Sequence, residues 1–323
     1  MEQRKYDVTA LGELLIDFTS SGISPQGNPL FEANPGGAPC NVLAMLQKLG
    51  KRTAFIGKVG KDIFGKMLRE KVLGTGIDIS GLAEDEQVNT TLAFVQTLED
   101  GDREFSFYRN PGADMMLTIQ DIKENLIRDS RIFHFGTLSM TADGVEAATK
   151  RAIAVANESG CLISFDPNLR PPLWSSEEKA KEKIAYGLGV CDILKISDNE
   201  IEFMTGTTDI DAGIEQIRSQ YNIPLIFATL GKEGSKAYYK DLCVFVKGFA
   251  NPDTIETTGA GDTFCANALN FVLEHGIDNL TEEDLLELLT YANAAASIIT
   301  TRKGALCVMP DKEEIDLFLK NRL

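Results

Sequence analysis

The chain of 323 residues holds 48 acidic and 32 basic side chains, a formal net charge of −16, and is 43% apolar and 25% charged. Those are ordinary values for a globular protein with a sizeable core, and the length fits one large α/β domain or one domain with an appendage. The acid excess excludes nucleic acid, which needs a basic face, but leaves room for a small anion held by backbone N–H groups, a metal ion and a few local cations.

Taken in chain order, residues 6–11 open as a short apolar strand. Residues 13–33 are extended, with Gly, Pro and Ser turns and no helical period. Residues 41–49 carry amphipathic helical spacing, and 53–59 form a second apolar strand. Residues 87–107, QVNTTLAFVQTLEDGDREFSF, alternate apolar and polar around Asp100-Gly101, a hairpin signal. Strands at 132–135, 162–166, 193–196 and 225–229 follow, with amphipathic helices at 145–157 and 176–188 between them. Alternating strands and helices imply an α/β fold with a mostly parallel central sheet covered on both faces. Ligands in such folds bind at the carboxyl ends of the strands. The segments 13–33 and 87–107 break the pattern, and hairpins cannot stand alone in water. They form either a small β-sheet lid over a site or an edge decoration of the main sheet. No repeat, linker or low-complexity tract divides the chain, so 1–323 reads as a single domain with these lid segments.

Six cysteines, at 40, 161, 191, 243, 265 and 307, form no C-x-x-C pair and sit mostly in apolar runs. They read as reduced, buried thiols. With only His134 and His275, no zinc site is expected. The opening MEQRKYDVTALGE is too polar for a signal peptide, and no apolar run approaches the roughly 20 residues of a membrane span. The expectation is a cytoplasmic protein with no membrane partner.

Residues 256–264 read ETTGAGDTF and run into a helix that starts close to Asp262. Gly259, Ala260 and Gly261 then form a tight turn at a helix N-terminus, where backbone N–H groups and the helix dipole make an anion site. A carboxylate at such a place would repel a phosphate. It makes sense as a base that takes a proton from an attacking hydroxyl, with the dipole keeping it ionised. Otherwise it is an acidic residue satisfying the helix start. No G-x-x-x-x-G-K-[ST] occurs, so this is not a P-loop enzyme.

The stretch TTGAGDTF resembles the C-terminal signature of the ribokinase, or PfkB, family of sugar kinases. PGGAPCN at 35–41 is similar to the family's N-terminal glycine-rich signature, and the two stand in the family's order. The resemblance implies a ribokinase-like fold and ATP-dependent phosphorylation of a sugar. Asp262 would be the base, and Gly259, Ala260 and Gly261 the anion hole. Asp17, in GELLIDF, would accept hydrogen bonds from sugar hydroxyls, with Gly36, Gly37 and Asn41 lining the pocket. On the residues alone, Asp17 reads equally well as a turn residue and Gly36-Gly37 as a plain helix approach.

Thr229, Gly231 and Gly234, in TLGKEGS, resemble the nucleotide loop, or form an ordinary hairpin turn. Asn293 resembles a residue near the adenine, or is a helix-surface amide. Arg302-Lys303-Gly304-Ala305 resembles the loop closing the nucleotide site, or is a solvated basic pair. Lys195 and Ser197, in KISDNE, match a nucleotide-binding region in which Glu200 would hold Mg²⁺ through water. Ser197 stands where ribokinase has Asn. Glu256 stands where Asp often helps bind a monovalent cation, which leaves a K⁺ requirement open.

The segment DPNLRPPLW at 166–174 looks like fructokinases and 2-keto-3-deoxygluconate kinases, with Arg170 near the sugar or the transferred phosphoryl group. FYRNPGAD at 107–114 resembles the fructokinase branch, with Arg109 leaving the lid towards the sugar. Fructose, phosphorylated at O6, is the first choice. The keto acid is second, because its carboxylate could use an arginine bidentately. Ribose and nucleosides are third. An inactive sugar-binding regulator is the reading from another class, opposed by the intact Asp262 and glycine turn. An open lid edge would suit a homodimer.

Overall fold

The structure, a computed structural model, describes residues 4–97 and 103–322. Among these residues, thirteen strands form two separate sheets. In chain order the strands are β1 (Tyr6–Leu11), β2 (Leu15–Ile23), β3 (Pro29–Gly36), β4 (Thr53–Gly60), β5 (Asp78–Asp85), β6 (Leu92–Thr97) and β7 (Arg103–Tyr108). They continue with β8 (Ser130–Gly136), β9 (Leu162–Asp166), β10 (Ile193–Ser197), β11 (Leu225–Thr229), β12 (Gly234–Tyr239) and β13 (Leu242–Lys247). The main sheet runs β13-β12-β11-β10-β9-β8-β1-β4-β5, parallel from β11 to β5, with the β12–β13 hairpin antiparallel at one edge.

Alternation along the strands sends side chains into two cores. On one face Val8, Ala10, Phe55, Ile193, Leu225 and Phe227 pack under helices Ala38–Lys48, Ala260–His275 and Glu282–Ile299. On the other, Leu11, Ile56, Phe135, Phe165, Leu194 and Ile226 pack under helices Asp143–Glu158, Glu177–Leu188 and Ile210–Gln220. Each fully buried side chain of this size contributes about 1.5–3 kcal/mol, so both faces are committed to the same register. Strand β1 lies inside the sheet, and the chain order reverses there, with β4 on one side and β8 on the other. That reversal opens a crevice beyond the strand ends.

The small sheet has the order β3-β2-β6-β7. Its strands pair with one another and not with the main sheet, so residues 13–33 and 87–107 are not edge decoration. The pairing of β6 with β7 runs from Leu92–Tyr108 to Thr97–Arg103; the expected turn at Asp100-Gly101 lies outside the described residues. Strand β5 and the β12–β13 hairpin were absent from the sequence reading. Cys243 and Cys307 are exposed, which corrects the expectation of uniformly buried thiols; the other four are buried, and all six are free. No helix among the described residues is long and apolar enough to cross a membrane.

Candidate functional site

A cavity of about 1000 Å³ lies between the small sheet and the carboxyl ends of β9, β10 and β11. It has a polar end under the small sheet, lined by Asp17, Asn34, Gly36, Asn41 and Arg170. At the other end stand Thr229, Gly231, Phe249, Asn293 and Ser297. The glycine turn of residues 259–261 lies between them.

Asp17 sits within β2 and so is not a turn residue. Gly36 leaves it room, because a Cβ there would stand 2.3 Å from Asp17 Oδ2. Gly37 caps helix Ala38–Lys48 at φ 133°, and a Cβ there would meet the Glu13 carbonyl oxygen at 2.4 Å. One turn into that helix, Asn41 Nδ2 donates to Asp262 Oδ2 at 2.8 Å. Asn41 Oδ1 is buried without a partner in the ligand-free chain, so it is available to a hydroxyl donor.

Gly259 is the N-cap of helix Ala260–His275, at a left-handed φ of 77°. Asp262 follows in the first turn and lines the cavity. Its carboxyl pKa is pushed up to about 6, mainly by burial; Asp166 adds to the rise, while Asn41, Lys195 and Arg170 oppose it. A pKa near 6 still leaves it mostly charged at neutral pH, as the sequence led one to expect. Of the three amides expected to form the anion hole, that of Ala260 donates to the Thr257 carbonyl at 3.2 Å.

Lys195 is 8% exposed and pairs with Asp166 at 3.1 Å. Burial disfavours its charge, but Asp166 and Glu200 more than compensate and raise its pKa. A Cβ on Gly261 would stand 3.1 Å from Lys195 Nζ, so the ammonium lies directly against the turn. Ser197 caps helix Asp198–Thr205 by accepting the Glu200 N–H. Glu200 Oε2 accepts the Ser197 N–H and Oε1 the Leu169 N–H, both at 2.8 Å. The carboxylate thus pins the 166–174 loop to the end of β10 while lining the cavity. Among the described residues no cluster of three or more His, Cys, Asp or Glu could hold a metal ion by itself.

At the far end, Asn293 is buried rather than a surface amide. Its Oδ1 accepts from Ser235 Oγ at 2.8 Å and its Nδ2 donates to the Val246 carbonyl at 3.1 Å. The 229–234 segment lines the cavity and turns the chain from β11 into antiparallel β12, the hairpin turn that its residues also allowed. Gly304 and Ala305 line the cavity, whereas Arg302 pairs with Glu314 and Lys303 is exposed. Glu256 Oε1 accepts the Gly304 N–H at 2.8 Å.

Arg109 is not among the residues that line the cavity: it is 6% exposed, and its guanidinium donates to Asp114, the Leu138 carbonyl and Thr141 Oγ1. Asp114, close by in the sequence, captures it. The sequence reading missed Glu13, which lines the cavity at 4% exposure. Its pKa is pushed up to about 7 by burial, against the backbone amides and Arg109 that lower it. A lone acid inside the apolar run LGELLI was the available signal.

The chain matches the model of the pfkB family carbohydrate kinases over residues 6–312. It is 42% identical over 315 residues to a probable fructokinase-2 of Arabidopsis thaliana, covering 97% of this chain and 95% of that one. The fold is similar to the crystal structure of a Xylella fastidiosa fructokinase with bound ATP, at a TM-score of 0.89 and 28% identity, over 98% of both chains. It is also similar to a fructokinase double mutant of Vibrio cholerae O395 in a form with fructose, ADP and potassium ion bound, at a TM-score of 0.87 and 30% identity, over 99% of this chain and 100% of that one.

Proposed function

Because the chain belongs to the pfkB family of carbohydrate kinases, we propose that it transfers the γ-phosphoryl group of ATP to O6 of fructose, with Asp262 as the base. The observation that carries this reading is the cavity itself. Asp17 and Asn41 line one end, Asp262 stands on a glycine-capped helix start, and small and amide side chains line the other end. The full-length similarity to fructokinases selects fructose among sugars.

The sugar binds under the small sheet, with hydroxyls on Asp17 and Asn41 and with Arg170 at the phosphoryl side. The Asp262 carboxylate takes the O6 proton as O6 forms its bond to the γ-phosphorus and the bond to the ADP oxygen breaks. The Gly259 and Gly261 amides and the Lys195 ammonium face the charge that spreads over the transferring oxygens. Mg²⁺, when bound to the nucleotide phosphates, neutralises their charge, and Glu200 would reach it through water. Glu256, engaged by Gly304, would take part in any K⁺ site only through its remaining oxygen lone pairs. The small sheet acts as a lid that excludes water during transfer. Its outer face exposes Ile23 at 67%, Phe31 at 45% and Tyr108 at 66%, which supports a homodimer through that sheet. A cytoplasmic location agrees with the six unpaired cysteines.

The test is ADP release across a sugar panel. Fructose should give the highest kcat/KM. A clear preference for 2-keto-3-deoxygluconate or ribose would refute the fructose assignment, and ATP consumption with no sugar on the panel would refute the kinase mechanism.

A further inference from the structure

Among the described residues, the chain passes between the main body and the small sheet four times: at residues 12–14, 36–38, 86–91 and 109–113. These passages are not loose linkers. A Cβ on Gly12 would stand 2.5 Å from Pro39 Cγ, and one on Gly112 would stand 1.8 Å from Thr91 Oγ1. Side chains tie the passages together in pairs. Glu13 Oε1 accepts the Ala38 N–H at 2.9 Å, joining the first passage to the second. Asp114 joins the third to the fourth: its Oδ1 accepts from Thr91 Oγ1 at 2.5 Å, and its Oδ2 from Arg109 Nε at 2.8 Å.

Both ties are buried: Glu13, Arg109 and Asp114 are 4%, 6% and 5% exposed, and the charges of Arg109 and Asp114 are felt at Glu13. Arg109 also holds the Leu138 carbonyl at 2.9 Å and Thr141 Oγ1 at 2.8 Å, which anchors the second tie to the body. None of the three takes part in the transfer step described above.

We propose that Glu13, Arg109 and Asp114 are positioning residues, a fixed pivot that sets the small sheet, and with it Asp17, against Asp262. The proposal rests on the kinase reading and deepens it. Asp17 lies four residues beyond Glu13, the last three of them in β2, so it stands up to about 13 Å away at the rise of an extended chain. A rotation of about 5° at the pivot moves it by about 1 Å, a displacement that can cost about a hundredfold in rate.

Glu13→Ala and Glu13→Gln test the proposal in the full chain. Without ligands, Glu13→Ala should raise amide exchange about tenfold or more in both Leu15–Ile23 and Leu92–Thr97, while Leu162–Asp166 and Ile193–Ser197 stay at the wild-type rate. In turnover, its kcat/KM for fructose should fall by about 10–100-fold with the KM for ATP changed less than about twofold. Glu13→Gln keeps an oxygen for the Ala38 N–H and should restore both readouts to within about threefold of wild type. Where Glu13→Ala does not fold, Asp114→Asn replaces it, with faster exchange expected in Leu92–Thr97. Unchanged exchange, equal acceleration in both sheets, or parallel loss of ATP and fructose affinity would overturn the pivot. Failure of the wild-type protein to phosphorylate fructose would instead strike the substrate assignment, with the exchange readout still judging the pivot.

Discussion

Replacing Asp262 by Asn removes the proposed base and a half-buried charge while keeping the shape. The Asn41 hydrogen bond at 2.8 Å survives, because the new amide still offers an oxygen. The glycine turn and the buried Lys195–Asp166 pair are untouched, so binding and charge stabilisation remain. What disappears is the proton acceptor, for which positioned groups contribute typically about 10²–10⁴-fold. We expect kcat to fall by about that factor, with the KM for fructose changing less than about threefold. Stability should move the other way. A carboxyl raised from 3.8 to about 6 carries no penalty below the unfolded value; the penalty grows between the two values and is complete above the folded one. At pH 7 that penalty is present, so the neutral Asn should melt at the same or a higher temperature. The wild-type rate should also fall about tenfold for each pH unit below about 6, as the base becomes protonated. Coupled ADP-release kinetics and a thermal melt on the same preparations measure all three. A variant with near-wild-type kcat, or one that melts markedly lower, would refute the assignment and return Asp262 to a helix-start role.

Two further outcomes follow from the geometry. Glu200→Gln must turn an NH₂ towards either the Ser197 or the Leu169 N–H, so it should lose about 1–3 kcal/mol of stability. If Glu200 also reaches Mg²⁺ through water, the Mg²⁺ concentration for half-maximal rate should rise; an unchanged Mg²⁺ titration with a lowered melt makes it a helix cap alone. The exposed apolar face around Ile23, Phe31 and Tyr108 predicts a dimeric sedimentation mass, which Phe31→Glu should convert to a monomer. A monomeric wild-type protein would remove that interface.

The buried parallel strands were legible because they are continuous apolar runs bounded by turns, and β1, β9 and β11 fall at their expected limits. Strand β5 was not, because it closes an edge and its residues 78–85 are mostly half-buried or exposed, which weakens the apolar signal. Side-chain partners were hidden for a different reason. The identity of Arg109 says that a cation is present, but only the fold says that Asp114 and a carbonyl oxygen capture it. Glu13 and the occupied Ala260 amide likewise depend on contacts made by residues distant in sequence or by the local path of a turn. Glycine motifs carried more information, because Gly36, Gly37 and Gly259 stand where a Cβ would collide with a neighbour.

The Asn41–Asp262 hydrogen bond joins residues 221 positions apart. During synthesis at about 5–20 residues per second, the amide waits for its carboxylate for roughly 10–45 s. Until then residues 35–41 have no glycine turn of residues 259–261 to face. Helix Ala260–His275 then packs against helix Ala38–Lys48, and helix Glu282–Ile299, made after it, packs onto it in turn. A nascent chain stalled before that helix emerges therefore has Asn41 and the strands of the small sheet but neither Asp262 nor the glycine turn.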